Sequence, residues 1–188
     1  MKYISKGLVV AGSTEDILHI TRCGIDFQLT GEQADLWING RFGFSCLKND
    51  NPIVLKALKQ LQRQELVEVE EDIEVGEYRA LTRCILVPAK TGVVKATLSS
   101  TERDLMQWLR EAGLRLTMAE LVFLVEHDIR PMKDLLGPEN RQRLTEVIYT
   151  QENIFDNILE IQMEHAKSRD VVVKNILQLL KKKRILLL

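Results

Sequence analysis

Lys56, Lys59 and Arg63 stand three and four residues apart, with Gln60 beside Lys59. On a helix that spacing sets the four side chains along one side. There the cations can meet phosphate oxygens, and the Gln60 amide can pair with an adenine edge. A second cationic set lies further along: Lys167, Arg169, Lys174, Lys181, Lys182, Lys183 and Arg184, seven bases against the single acid Asp170 from His165 to Leu188. Seven cations neutralising several phosphates would make binding steeply salt-dependent. Each set also has a plainer reading, because exposed helix faces carry charge for solubility and cations complement the dipole at a helix C-terminus. Between the two sets the sign reverses: Glu65 to Glu77 holds seven acids and no base. Acids there would repel a phosphate backbone and weigh against that segment entering a groove.

Patterns that carry catalysis are missing. His19, His127 and His165 are isolated, and no His-Glu-x-x-His, Gly-x-Ser-x-Gly, phosphate-binding loop or Gly-x-Gly-x-x-Gly occurs. The neighbours Glu126-His127 and Glu164-His165 point to different sides of a helix, so both pairs read as surface residues rather than metal sites. Cys23, Cys46 and Cys84 are odd in number and lack zinc-ligand spacing, which reads as buried free thiols. Trp37 and Trp108 lie among Leu36, Ile38, Leu105 and Leu109 and read as core rather than base-stacking residues. The expectation is a binding protein and not an enzyme, with no metal or cofactor.

Elements must position these side chains, and 188 residues suffice for one large or two small domains. With 45% hydrophobic and 28% charged residues the composition is that of a folding chain. No apolar run approaches the roughly 20 residues that cross a bilayer, and Met1 to Gly12 lacks the features of a signal peptide. A cytoplasmic protein without a membrane partner is expected.

Internal similarity organises the rest. Leu29-Thr30-Gly31-Glu32-Gln33-Ala34-Asp35-Leu36 aligns with Leu98-Ser99-Ser100-Thr101-Glu102-Arg103-Asp104-Leu105, each reading as a capping box behind a leucine. Downstream, Pro52 to Leu61 corresponds to Asp170 to Leu179, each an amphipathic helix followed by a short strand, Leu66 to Glu70 and Ile185 to Leu188. After the first strand, a turn at Asp72 to Tyr78 with Gly76 and a returning strand Arg79 to Val87 predict a hairpin, or wing. Ahead of it, Gly7 to Ala11 and Ile17 to Phe27 predict an added hairpin, and residues 89–97 read as a linker. In the second half, a helix ends at Ala112-Gly113 and a third capping box, Thr117 to Glu120, starts another through His127. Pro131 and Gly137-Pro138 then cut the remainder into a short helix, a helix from Glu139 to Tyr149 and one from Ile154 to His165. No residues are left for a second wing.

These patterns resemble the tandem winged helix-turn-helix class of bacterial regulators, well over Leu29 to Val87 and loosely over Leu98 to Leu188. The resemblance implies an α+β, mostly helical fold of two units. Residues 1–90 would form a winged-helix-like domain with an N-terminal hairpin and a wing, and residues 96–188 a helix-turn-helix-like domain with a helical insertion. Proteins of this kind are most often transcriptional regulators that bind double-stranded DNA, here through the two basic sets. The same fold also serves protein- and peptide-binding adaptors, and the hairpin before the helical unit has a fainter likeness to peptide-recognition elements of peptide-modifying systems. An adaptor would use the acidic wing and the strand edge near Ile17 to Phe27. Regulators of this class are commonly dimeric, and the stripe of Ile154, Ile158 and Ile161 with the apolar positions around Leu159 is the candidate dimer surface, with ordinary core packing as the plainer reading.

Overall fold

The computed structural model describes residues 1–47, 51–71, 73–89, 97–112, 116–150 and 156–188. They form an α+β fold of eight α-helices and small antiparallel sheets. The chain divides into two compact units, Met1–Cys84 with Leu186–Leu188, and Ile85–Ile185.

The first unit opens with β1 (Lys2–Ser5), β2 (Leu8–Val9), β3 (Leu18–Arg22) and β4 (Ile25–Leu29). In place of one long strand from Ile17 to Phe27, the chain makes two strands joined by Cys23 and Gly24, whose φ angles of 51° and 84° are both left-handed. Two such residues in a two-residue loop match the right-handed twist of the flanking strands. The hairpin runs in register from Arg22 opposite Ile25 to Leu18 opposite Leu29. With β2 it builds a sheet of order β2-β3-β4.

Next come α1 (Glu32–Asn39), β5 (Ser45–Cys46), α2 (Pro52–Arg63), β6 (Val67–Glu70) and α3 (Gly76–Thr82). The expected box at Thr30 and Gln33 does not form: Gly31 takes the cap position at φ 51°, with no side-chain cap. Helix α2 is better specified. Asn51 accepts from the Ile53 amide and Pro52 occupies the first turn, where its missing N–H costs nothing. Ala57, Leu58 and Leu61 face inward and pack with Leu36, Trp37, Ile20 and Leu29. Strand β1 pairs with both β5 and β6. Among the described residues only β5 stands between α1 and α2, and α2 packs against α1.

The predicted wing is also replaced. Residues Gly76–Thr82 are helical, with Tyr78, Ala80 and Leu81 buried. Glu77, Arg79, Ala80 and Leu81 are good helix formers, and positions 78 and 81 share a helix face. Gly76 serves close approach rather than a hairpin, since a Cβ there would meet the Glu71 carbonyl at 2.5 Å. Asp72 of the predicted turn lies outside the described residues.

In the second unit follow β7 (Leu86–Pro88), α4 (Ser100–Glu111), α5 (Met118–Glu126), a 3-10 turn at Pro138–Asn140, α6 (Arg141–Ile148), α7 (Asp156–Glu164) and α8 (Arg169–Lys181), and the last strand, β8 (Ile185–Leu187), starts there at Ile185 and ends among the residues of the first unit. Both capping boxes form here: Ser99 with Glu102, and Thr117 with Glu120. Helix α8 packs on α4 and α5, and α7 on α5. Pro131 to Gly137 makes turns rather than the short helix expected. Most of the expected linker (residues 90–96), Gly113 and Ile154 lie outside the described residues.

Helices α2 and α8 end alike. Glu65 (φ 57°) and Lys183 (φ 55°) are the left-handed residues after each helix. The Leu66 amide donates to Leu61 O and the Arg184 amide to Leu179 O, both at 2.9 Å. This six-to-one closure satisfies an orphan carbonyl and turns the chain into a strand.

Candidate nucleic-acid interface

Helix α2 buries Ala57, Leu58 and Leu61 and turns Lys56, Lys59, Gln60 and Arg63 to solvent. These four, with Pro52 and Leu55, line an open groove of about 470 Å³. Lys56, Lys59 and Arg63 make no hydrogen bond or ion pair among the described residues. Gln60 is engaged: its Oε1 accepts from Gln33 Nε2 at 2.8 Å. A bidentate pair with adenine needs that oxygen, so base reading by Gln60 would cost this bond. Pro52 and Leu55 carry no charge, so their residue types alone did not mark them as groove residues.

The second basic set is divided by the fold. Arg169 is 7% exposed. Its guanidinium donates to the Asp170 carboxylate at 2.8 and 3.1 Å and to Glu164 O at 2.6 Å. Lys182 donates to both Glu102 oxygens at 2.6 and 2.8 Å and to Thr97 O at 3.1 Å. Burial alone would raise the Glu102 carboxyl, yet the Lys182 bond and the Ser99 amide hold it below its ordinary value. Arg169 and Lys182 are therefore engaged within the fold, and a phosphate contact by either would compete with these bonds. A desolvated charge needs its partner inside the protein. Arg184 is half-buried, while Lys167, Lys174, Lys181 and Lys183 are exposed, Lys183 at the left-handed turn.

The acids of Glu65 to Glu77 are largely neutralised at home. Glu65 pairs with Arg22 at 2.6 Å, Glu68 with Lys6 and Arg83, Glu70 with Arg83, and Glu77 with Lys2 at 3.0 Å. The Arg22 hydrogen bond draws the Glu65 carboxyl below its usual range. Four of the seven acids are thus paired within the unit, while Glu71 and Glu74 stay exposed.

Other expected features divide in the same way. Trp37 and Trp108 are buried at 0% and 1% exposure, and Trp37 Nε1 donates to Lys6 O at 2.9 Å. Only Cys84 is a buried thiol, its pKa pushed up to about 12 chiefly by burial, whereas Cys23 and Cys46 are exposed. Glu126 is not mere surface: its carboxylate accepts the Ser168 amide at 2.8 Å where α8 begins. On α7, Leu159 and Met163 are core, while Ile161 is 63% exposed.

One feature of the first unit was missed. In the two-residue hairpin, Arg22 and Ile25, Ile20 and Phe27, and Leu18 and Leu29 are the pairs that exchange backbone hydrogen bonds. The backbone groups of Asp26 and Gln28 therefore face outward along β4, the last strand of its sheet. Cys23-Gly24 was the available signal. No helix among the described residues is long and apolar enough to cross a membrane. No family model matches the chain, and neither a curated protein nor a solved structure matches it.

Proposed function

We propose that this protein is a DNA-binding regulator without catalytic activity, and that its contact surface is the solvent face of α2. One observation carries the reading: Lys56, Lys59 and Arg63 are exposed, unpaired among the described residues and aligned along a groove on one helix. Cations committed inside a fold make ion pairs, as Arg169 and Lys182 do, whereas cations left without partners are available to an external anion. Phosphates satisfy such a row without base contacts, so the expected binding is largely independent of sequence. The test is fluorescence anisotropy with a random duplex at low salt. Replacing Lys56, Lys59 and Arg63 together by alanine should lower affinity at least tenfold with folding unchanged, and equal affinity of the variant would reject the assignment.

A peptide-binding adaptor is the second reading, favoured by the outward-facing backbone of Asp26 and Gln28 on edge strand β4. An extended peptide could add there as a further strand. No shift of any duplex at low salt, together with capture of a peptide whose binding is lost on changing Gln28 to proline, would favour it over DNA.

A further inference from the structure

The second unit contains a partly open recess that the reading of α2 does not use. Between the first turns of α4 and the end of α5 lies a cavity of about 180 Å³. Leu105, Trp108 and Leu124 form its buried floor, and Val125 and Ile129 are half-buried at its side. Polar groups stand around this apolar base: the hydroxyls of Ser100 and Thr101, the carboxylates of Asp104 and Asp128, and the guanidinium of Arg130. An apolar recess with a few converging polar groups has the composition of a small-molecule site.

Charge selects the ligand class. Asp104 has no hydrogen bond or ion pair among the described residues. Asp128 has only the long contact of its Oδ1 to Arg130 Nε at 3.7 Å, between side chains that are 88% and 74% exposed. Such a surface pair holds weakly and can exchange for a better cation. Two carboxylates against one guanidinium leave the rim net negative, which disfavours an anion and favours an ammonium. Size narrows the class further. The volume equals about six waters of liquid and falls below the ~300–1,000 Å³ of drug-sized pockets, so the ligand has on the order of ten non-hydrogen atoms.

We infer that this cavity binds a small primary amine with an aromatic or branched apolar body, its ammonium between Asp104 and Asp128 and its apolar part on Trp108. The ammonium donates one N–H to each of the two carboxylates and its third to the hydroxyl of Ser100 or Thr101, while the body displaces water from the apolar floor. The inference does not depend on DNA binding, since every lining residue belongs to the second unit.

The probe is 2-phenylethylamine, titrated into the full chain and followed by the two tryptophan indole N–H signals in a nitrogen-15 correlation spectrum. The Trp108 signal should shift in a saturable way while that of Trp37, buried in the core of the first unit, stays in place. The anion of matched shape, 3-phenylpropionate, should leave both unmoved. Asp104→Asn should weaken the amine about tenfold, the change expected when a charge-assisted hydrogen bond becomes a neutral one. Arg130→Ala, which removes the competing cation, should tighten it, and a gain of affinity cannot arise from misfolding. Absence of a Trp108 shift, equal binding of amine and anion, or indifference to both substitutions would overturn the inference.

Discussion

Lys182 and Glu102 show how one residue's chemistry can be misassigned from sequence. Lys182 sits in a run of three lysines, and a run of lysines reads as a phosphate-binding patch. The fold separates them: Lys181 is exposed, Lys183 makes the left-handed turn, and Lys182 reaches a carboxylate whose side chain is only 4% exposed. Removing the cation strands a buried charge, so Lys182→Met should cost about 2 kcal/mol at neutral pH. The pH dependence has a definite sign. The folded-state pKa of Glu102 lies below its ordinary value, so the pair's stabilisation is complete above the unfolded carboxyl's pKa and disappears as pH falls through the folded one. Urea unfolding of wild type and variant at pH 7 and near pH 3 should therefore show a difference that shrinks in acid, and a constant difference would refute the role given to this pair. Replacing Lys181, Lys182 and Lys183 together would mix a lost anchor with any lost ligand contact.

At the scale of elements, the three capping boxes form a comparison. Thr117 caps α5 with its side chain, whereas Thr30 caps nothing with its own. Thr117→Ala should cost about 1 kcal/mol of unfolding free energy and Thr30→Ala less than about 0.5 kcal/mol, as measured by denaturant titration. Equal costs would show that the box at Thr30 forms in solution. Sequence reading succeeded where a local signal met no competitor, as at Ser99, at Thr117, and in the amphipathic helices α2 and α8. It failed where neighbours decided. Gly31 after Thr30 could adopt a left-handed φ and took the cap, and Gln33 found Gln60 instead of its own helix end. Residues 79–87 were read as a strand from apolar content without alternation, and burial of Tyr78 and Leu81 on one face selected a helix for the first part of that stretch. Cys23-Gly24 was legible turn chemistry passed over because apolar residues run on both sides of it. For the basic sets, sequence located the cations but not their partners. Lys182 meets an acid, Glu102, that only the tertiary packing brings within reach, whereas the acid beside Arg169 is its neighbour Asp170.

Across the whole molecule a net charge of −1 conceals a sorting of charge between internal and external use. Acids of the first unit pair with Lys2, Lys6, Arg22 and Arg83. What remains exposed among the expected contacts is Lys56, Lys59, Gln60 and Arg63 on α2, with Lys167, Lys174, Lys181 and Lys183 in the second unit. Salt dependence measures which of these meet phosphate, because each contact adds about 0.9 to the slope of log affinity against log salt on duplex DNA. If α2 alone is the contact surface, the wild-type slope should be about −2.7, and alanine at Lys56, Lys59 and Arg63 should bring it close to zero. Alanine at Lys174 and Lys181 should then leave it unchanged. Should that second variant instead lower the slope by about 1.8, those lysines of the second unit also contact phosphate and the assignment of the contact to α2 alone fails. A slope far steeper than −2.7 would reject it as well, since three cations cannot release that many counterions.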